Sequence, residues 1–269
     1  MKIAIIQSDI VWENPIANRN HFEEKINAIN DVVDLIVLPE MFSTGFTMNP
    51  SAVAEAMDGE TVSWMISLAK TKNTALTGSL VIAENNNYYN RMVFVFPDGR
   101  LKTYDKRHLF TLAKEEQVFT PGKEKVIVEY KDWKICLQIC YDLRFPVFTR
   151  NVEHYDLLIY VASWPKPRIN AWDILLKARA VENLCYTIGV NRIGFDANQL
   201  EYIGHSQIID YLGNFTIEPF ETEAVKVIAL DKNTMLETRN RLNFLNDKDT
   251  FQLFEKKINS LRINHQKDN

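Results

Sequence analysis

The chain has 269 residues, 46% of them hydrophobic and 25% charged, and its formal net charge at pH 7 is −4. This composition is typical of a folded globular protein and excludes collagen-like, disulfide-rich and disordered chains. Lysines and arginines number 31 against 35 acidic residues, so the broad basic surface needed for nucleic-acid binding is missing and we expect no nucleic-acid partner. Because α/β folds of about 250 residues often form one unit, we expect a single domain over residues 1–269.

The apolar stretches of the sequence are far shorter than the roughly 20 residues that a membrane span requires. The opening run, residues 1–7, meets the polar Ser8 and Asp9 directly and lacks the features of a secretory signal peptide. The odd number of cysteines, three, agrees with a reducing compartment. We therefore expect a cytoplasmic protein with no membrane contact.

The first part of the chain predicts a strand, a helix and a second strand, which is a typical opening of an α/β protein. Apolar runs at residues 2–7 and 33–38 indicate buried strands, and apolar residues recur between them at helical spacing after Pro15. A second helical pattern follows at residues 62–69. Hairpin-type turns then separate three more strands, so part of the sheet is expected to be antiparallel. These strands cover residues 75–83, 88–96 and 101–104.

The α/β alternation continues in the second part of the chain. A helical stripe occupies residues 171–184, and apolar residues at helical spacing suggest a final helix over residues 250–261. The last residues, 264–269, are expected to fray. We treat residues from about 245 to 269 as a helix or tail appended to the domain. The predicted strands are residues 126–129, 133–139, 156–162, 186–190, 207–210 and 224–230, with a short helix at 147–152.

Three reactive residues share one local context, because Glu40, Lys106 and Cys140 each follow a strand-like run. The ends of strands are where the sites of α/β proteins gather. Together the three would supply a proton acceptor, a fixed positive charge for a developing oxyanion, and a nucleophile. That set is suited to acyl transfer from an amide.

Each of these residues, taken singly, also has a structural explanation. A lone cysteine at the end of an apolar strand is most often a small buried hydrophobe, and Cys136 and Cys185 are interpreted in that way. Glu40 could be solvated in a loop or pair with an arginine, and Lys106 could be a surface charge. The order and context of the three motifs therefore carry more weight than any one residue.

The three residues lie in Leu-Pro-Glu-Met-Phe (38–42), Tyr-Asp-Lys-Arg-His-Leu-Phe (104–110) and Cys-Tyr-Asp-Leu-Arg-Phe-Pro (140–146), in that order. This arrangement resembles the nitrilase superfamily of carbon-nitrogen hydrolases, whose catalytic Glu, Lys and Cys occur in segments of these forms. Within the superfamily, the sequence looks most like the bacterial omega-amidase branch, the 2-oxoglutaramate amidase type. The resemblance continues at Ala162 to Pro165, Arg168, Trp172 and residues 178–183, 189–194 and 204–206.

The resemblance implies the α/β class with mixed sheets, in a four-layer α-β-β-α sandwich that usually dimerises. It also implies that Cys140 is the nucleophile, that Glu40 is the general base, and that Lys106 and the backbone N–H of Tyr141 stabilise the tetrahedral intermediate. Many family members carry a second glutamate between the Lys and the Cys. Glu115 is our choice for it, with the neighbouring Glu116 left open.

The omega-amidase branch hydrolyses the terminal amide of a small dicarboxylic monoamide, such as 2-oxoglutaramate or 2-oxosuccinamate, through a cysteine thioester. Such an enzyme must bind the distal carboxylate, a task that suits a guanidinium group. Arg168 is the candidate, with Trp164, Phe42 and Phe46 as walls of the pocket. Arg144 is also close to the nucleophile in sequence, but an arginine after Asp142 could instead form a structural ion pair.

Other kinds of chemistry have less support in the sequence. The five histidines show no zinc-binding spacing and the nucleotide-binding loops are absent, so we expect no metal and no cofactor. His108 could be a base for Cys140, as in cysteine proteases, but the Glu40 and Lys106 motifs favour the other scheme. The alternatives are hydrolysis of N-carbamoyl amino acids or of deaminated glutathione, and a non-catalytic binding protein of the same fold.

Overall fold

The computed structural model describes residues 1–254. Within that part of the chain, residues 250–254 have no helical structure, so the predicted final helix does not start where the sequence suggested. The rest of that helix and the predicted frayed end lie outside the described residues. No helix in residues 1–254 is long and apolar enough to cross a membrane.

The strands and helices follow one another closely along the described chain. The strands are β1 (Lys2–Gln7), β2 (Leu35–Val37), β3 (Ala75–Glu84), β4 (Asn87–Val95), β5 (Leu101–Asp105), β6 (Ile127–Tyr130), β7 (Trp133–Ile139), β8 (Leu157–Ala162), β9 (Tyr186–Asn191), β10 (Ile193–Phe195), β11 (Glu201–Ile203), β12 (Ser206–Ile209), β13 (Phe215–Phe220) and β14 (Ala224–Ala229). The α-helices are α1 (Pro15–Asn27), α2 (Pro50–Val53), α3 (Glu60–Lys72), α4 (Pro146–Thr149), α5 (Ile169–Asn183) and α6 (Lys232–Leu242).

Most strands belong to two six-stranded sheets of mixed direction. The first has the order β14-β1-β2-β3-β4-β5, in which β1, β2 and β3 are parallel and the outer pairs are antiparallel. The second has the order β13-β12-β9-β8-β7-β6, in which β7, β8 and β9 are parallel. The predicted α/β class with mixed sheets is confirmed.

The two sheets pack face to face, and helices cover their outer faces. In β1, Ile3 and Ile5 enter the core between the sheets, whereas Ala4 and Ile6 pack under α1 and α3. β8 alternates in the same way between the central core and α5. Strands that are buried on both faces appear as continuous apolar runs, which is why the sequence pattern identified them. The result is the α-β-β-α layering that the family resemblance implied.

Local sequence signals set the ends of the helices. Asn14 accepts a hydrogen bond from the backbone N–H of Ala17, and Pro15 occupies the first turn of α1. Asn73 ends α3 in the left-handed conformation, with φ of 50°. These two helices lie in the connections from β1 to β2 and from β2 to β3.

Candidate active site

The segments that follow β2, β5 and β7 carry Glu40, Lys106 and Cys140 to one point. The Lys106 ammonium lies 2.9 Å from Glu40 Oε1, and both side chains are fully buried. The Cys140 thiol lies close enough to both groups for the charges of Glu40 and Lys106 to shift its pKa. Lys106 is 66 positions from Glu40 along the chain and Cys140 is further still, yet the fold brings the three side chains together.

The Glu40 carboxylate accepts hydrogen bonds at both oxygens. Its Oε1 accepts from Lys106 Nζ at 2.9 Å and from Asn90 Nδ2 at 2.8 Å. Its Oε2 accepts from the backbone N–H of Ser163, directly after β8, at 2.7 Å. A buried carboxylate with three donors has a fixed orientation, which a general base requires.

Of the two adjacent glutamates that the sequence left open, Glu115 lies in the cluster and Glu116 is exposed. Glu115 Oε1 and Oε2 lie 3.1 and 3.0 Å from Lys106 Nζ. Its Oε2 also accepts from the backbone N–H of Phe110 at 2.6 Å. The left-handed backbone of Lys114, with φ of 59°, starts the short turn that directs Glu115 inward.

Burial and the opposed charges shift the pKa values of this cluster in different directions. Burial raises the pKa of Glu115, the charge of Lys106 opposes that rise, and the Glu40 charge adds to it. Burial alone would lower the pKa of Lys106, but the charges of Glu115 and Glu40 outweigh it and that pKa is raised. Burial, together with the Glu40 charge, holds the pKa of the Cys140 thiol well above its ordinary value. The resting thiol is therefore protonated and needs a base to become a nucleophile.

Cys140 lies on a sharp turn between β7 and a short 3₁₀ segment, and its backbone φ is 44°. Asp142 holds this turn through a hydrogen bond from the backbone N–H of Ile139 at 3.0 Å. The same buried carboxylate accepts from Tyr104 Oη at 2.7 Å, and from His108 N and Nδ1 at 2.9 and 2.8 Å. Since Tyr104 and His108 flank Lys106, Asp142 ties the lysine segment to the cysteine turn.

This network also decides two alternatives from the sequence. His108 is engaged with Asp142 and stacks on the Phe145 ring at 3.9 Å, so its Nδ1 is directed away from a role as base for Cys140. Arg144 does not pair with Asp142, whose oxygens accept from Ile139, Tyr104 and His108. The Arg144 guanidinium instead lies over the Trp164 ring, 4.9 Å from its centroid.

A cavity of about 520 Å³ opens next to the cluster, and Lys106 and Cys140 form part of its wall. Four of the five residues expected to contact substrate line it, namely Tyr141, Arg168, Trp164 and Phe46. The Arg168 guanidinium lies 5.0 Å from the centroid of the Phe110 ring, and the Lys106 ammonium 5.1 Å from that of Phe46. The other polar or charged lining residues include Glu13, Thr47, Asn49, Arg144, Ser163, Asp196, Asn198 and Tyr202.

Phe42 is the exception, and the expectation that it forms a pocket wall is corrected. Its side chain is fully buried in the core beneath the helices. Its ring centroid lies 5.4 Å from that of Phe22 in α1 and 6.0 Å from that of Trp64 in α3. Met41, with φ of 45°, turns the chain between Glu40 and Phe42, so nearness in sequence did not mean the same face.

Sequence analysis missed Asn90, which is buried in β4 and contacts both glutamates of the cluster. The only signal in the sequence was an asparagine inside the predicted strand 88–96, a residue type that strands contain less often than apolar residues. Glu13, Asp196 and Tyr202 were also missed, because they reach the cavity from loops and a short strand far away in sequence. Within residues 1–254, no group of three or more His, Cys, Asp or Glu side chains could hold a metal ion.

Comparison with known proteins agrees with this geometry. The sequence model of the carbon-nitrogen hydrolases matches residues 2–240. The chain belongs to the carbon-nitrogen hydrolase family. It is 40% identical over 255 residues to omega-amidase YafV of Escherichia coli K12, covering 94% of this chain and 99% of the relative. It is 32% identical over 250 residues to the 2-oxoglutaramate amidase of Bacillus subtilis 168, covering 91% of this chain and 96% of the relative.

One solved structure gives the same family assignment, and a second has the same fold. The superfamily protein XC1258 of Xanthomonas campestris, solved with an arsenic adduct in its active site, superimposes with a TM-score of 0.92. It is 40% identical, and the match covers 94% of this chain and 99% of that one. Nit3 of Saccharomyces cerevisiae, a member of branch 10 of the nitrilase superfamily, has the same fold, with a TM-score of 0.78 at 24% identity over 90% of this chain and 94% of Nit3. The resemblance to the nitrilase superfamily seen in the sequence is confirmed.

Proposed function

We propose that this carbon-nitrogen hydrolase is an omega-amidase, which hydrolyses the terminal amide of a small dicarboxylic monoamide such as 2-oxoglutaramate to the acid and ammonia. The observation that carries the proposal is a buried cluster of Glu40, Lys106 and Glu115 beside the Cys140 thiol, at a cavity that also holds guanidinium groups. Relatives named omega-amidase and 2-oxoglutaramate amidase match over nearly their whole length.

In the first half of the reaction, Glu40 accepts the proton of the Cys140 thiol and the sulfur forms a bond to the amide carbon. The carbonyl electron pair moves onto oxygen, where the Lys106 ammonium and the backbone N–H of Tyr141 stabilise the negative charge. When the intermediate collapses, the carbon–nitrogen bond breaks and the nitrogen takes the proton from Glu40. Ammonia leaves, and the acyl group remains on Cys140 as a thioester.

In the second half, Glu40 accepts a proton from water and the resulting hydroxide adds to the thioester carbon. Lys106 and the N–H of Tyr141 again stabilise the oxyanion. Collapse breaks the carbon–sulfur bond, the proton held by Glu40 returns to the sulfur, and the carboxylic acid leaves. Glu115 holds its place beside Lys106 throughout, because Lys106, Asn90 and Phe110 N all donate to it.

The distal carboxylate of the substrate is recognised by Arg168 and Arg144. Both guanidinium groups line the cavity that Cys140 and Lys106 also line. Each lies over an aromatic ring, Phe110 for Arg168 and Trp164 for Arg144, which restricts its orientation without using its N–H donors. A planar carboxylate matches such a donor pair better than a neutral group does.

The proposal also covers the oligomeric state and the cellular location of the enzyme. The enzyme is a cytoplasmic homodimer with one domain, to which residues from about 245 to 269 are appended. Its dimer surface is centred on α5, where Ile174 and Val181 are 57% and 44% exposed, beside Leu212, which is 47% exposed. Exposed apolar side chains grouped in this way are typical of subunit contacts. Val181→Asp should therefore reduce the sedimentation coefficient to that of a monomer.

Ammonia release from a panel of amides tests the proposed activity. The panel contains 2-oxoglutaramate, 2-oxosuccinamate, glutamine, an N-carbamoyl amino acid and deaminated glutathione, and the first two should give the highest kcat/KM. Cys140→Ala controls for other sources of ammonia and should release none above background. Preference for a carbamoyl substrate or for deaminated glutathione would contradict the omega-amidase assignment but keep the hydrolase chemistry.

The two arginines are tested on matched substrates. Arg168→Ala and Arg144→Ala should each raise KM for 2-oxoglutaramate much more than KM for a neutral amide of similar length. Lys166→Ala is a suitable control, because Lys166 pairs with Glu201 at the surface. An equal rise in KM for both substrates would show that the arginines do not recognise the carboxylate.

A further inference from the structure

Every hydrogen of the Lys106 ammonium is engaged with a carboxylate in the resting site. An ammonium has three donors, and Lys106 Nζ lies 2.9 Å from Glu40 Oε1 and 3.1 and 3.0 Å from the two oxygens of Glu115. The proposed role of Lys106 requires one of these hydrogens to turn toward the substrate oxygen. The carboxylate oxygen that is released loses a donor in a site with no water contact, which is unfavourable unless another donor is already there.

A second donor is present at each of the three oxygens that Lys106 contacts. Asn90 Nδ2 lies 2.8 Å from Glu40 Oε1 and 3.3 Å from Glu115 Oε1. The backbone N–H of Phe110 lies 2.6 Å from Glu115 Oε2. One asparagine amide therefore supports two of the three contacts from which Lys106 can withdraw.

The orientation of the Asn90 amide follows from its surroundings. If the amide were rotated by 180°, its oxygen would face two carboxylates, so the NH₂ group must point toward them. Within residues 1–254 the buried Asn90 Oδ1 has no hydrogen-bond partner. The side chain is thus held through its two hydrogens alone.

The backbone fixes Asn90 relative to the lysine. Asn90 lies in β4, and its carbonyl oxygen accepts a hydrogen bond from the backbone N–H of Lys106 at 2.9 Å, directly after β5. Main-chain and side-chain contacts of one residue therefore reach Lys106, Glu40 and Glu115. This arrangement holds the amide within hydrogen-bonding distance of both carboxylates.

We propose that Asn90 is a positioning residue whose amide hydrogens satisfy Glu40 and Glu115 when Lys106 turns a hydrogen to the developing oxyanion. Asn90 does not touch the substrate, and it acts through Lys106. This inference rests on the proposed function, since it assigns the oxyanion to Lys106. Without the amide, Lys106 stays bound to the two carboxylates and the transition state loses part of its stabilisation, while substrate binding is unaffected.

The test uses Asn90→Ala and Asn90→Ser, with Asn87→Ala as the control because Asn87 is an exposed residue at the start of the same strand. Two rates are measured: amide hydrolysis, which forms an oxyanion, and alkylation of Cys140 by iodoacetamide, which forms none. Loss of one direct oxyanion donor lowers kcat by about 10²- to 10³-fold, so we expect an indirect loss of about 10- to 100-fold. KM and the alkylation rate should stay within about threefold, as expected for an interaction made only in the transition state.

Two results would overturn the inference. One is a folded variant whose kcat is within about twofold of wild type, a change far smaller than the loss of an oxyanion donor causes. The other is a parallel fall in hydrolysis and alkylation, which would mean that Asn90 only maintains the general shape of the site. If the alanine variant does not fold, as judged by its melting curve, the serine variant carries the same comparison. The proposed function fails separately, if wild type does not hydrolyse 2-oxoglutaramate; the Asn90 variants are then compared on the amide that wild type does hydrolyse.

Discussion

Two groups of charged side chains in this protein are built from similar parts but have opposite electrostatic properties. In the active-site cluster, Lys106 lies between Glu40 and Glu115, and all three side chains are 0% exposed. In the second group, at the surface, Glu223 Oε1 lies 2.5 Å from Ser8 Oγ, 2.8 Å from His21 Nε2 and 3.1 Å from Lys25 Nζ. The Glu223 side chain is 36% exposed.

The two groups differ in how far hydrogen bonds and nearby charges offset the rise in carboxylate pKa that burial causes. Burial raises the pKa of Glu115, and the nearby Glu40 charge adds to that rise. Partial burial also acts to raise the pKa of Glu223, but hydrogen bonds from Ser8, His21 and Lys25 outweigh it and lower that pKa to about 2. The surface group stabilises the fold, whereas the buried cluster keeps a surplus of negative charge beside the thiol that must lose a proton.

The largest expected effect comes from removing the cation of the active-site cluster. Lys106→Met leaves two buried carboxylates without a counter-charge, which should destabilise the protein by about 3 to 5 kcal/mol. Turnover should fall by about 10²- to 10³-fold or more because the oxyanion loses a donor. Denaturant unfolding and ammonia release measure the two effects.

Lys25→Met is the matched control at the surface group. Glu223 keeps Ser8 and His21 as partners there, so the loss should be below about 1 kcal/mol and turnover should be unchanged. Equal destabilisation by the two lysine variants would show that burial does not distinguish the two groups.

The next effect lies within the active-site cluster. Glu115→Gln leaves Lys106 paired with Glu40 but places an amide NH₂ against donors from Lys106, Asn90 or Phe110, so stability should fall by about 2 to 3 kcal/mol. Turnover should also fall by about 10- to 100-fold, because Lys106 loses the carboxylate that orients it. Glu116→Gln, on the exposed neighbour, should match wild type in both measurements. A strong loss of turnover in the Glu116 variant alone would reverse the assignment.

The sequence predicted the parts of this site that follow strands. Glu40, Lys106 and Cys140 each come after an apolar run, and the family motifs supported that interpretation. Asn90 could not be assigned in the same way, because its partners Glu40 and Glu115 lie on other segments and only the fold brings them together. The prediction that Phe42 lines the pocket was wrong for a related reason, since one left-handed residue, Met41, decides which face Phe42 occupies.

Most strands were predicted within one residue at each end, including the partly exposed β5, β6 and β14 as well as the buried β1, β7 and β8. The buried β2 was predicted too long, at 33–38, because the apolar run continues beyond the three residues that pair in the sheet. By contrast, α6 was missed because it is polar, and in it only Met235 and Thr238 are buried. β13 was missed because its sequence contains Pro219, a residue that strands tolerate at an edge, and β13 is an edge strand.

A smaller effect is expected at Asp142, a carboxylate that, like Glu115, is buried and accepts hydrogen bonds at both oxygens. Asp142→Asn places an amide NH₂ against two of the donors from Ile139, Tyr104 and His108, which should reduce stability by about 2 kcal/mol. Turnover should fall as well, because the turn that carries Cys140 loses its link to the Lys106 segment. Asp132→Asn, at an exposed position, is the control. If Asp142→Asn were as stable as wild type, the donors around residue 142 would not require both carboxylate oxygens.

The smallest effect concerns the pH dependence of the surface group. Because the pKa of Glu223 is lowered from an ordinary value of 4.5 to about 2, its ionised form stabilises the folded state. That contribution is complete above pH 4.5 and is lost as the pH falls through about 2. Because the Glu223 side chain is 36% exposed, this contribution should be no more than about 1 kcal/mol, and less in high salt. The unfolding free energy of wild type minus that of Glu223→Gln should therefore be positive at pH 7 and approach zero near pH 2. Subtracting the variant removes the other carboxylates that titrate in this range, so a difference that stayed constant with pH would mean that the Ser8, His21 and Lys25 contacts do not depend on the charge of Glu223.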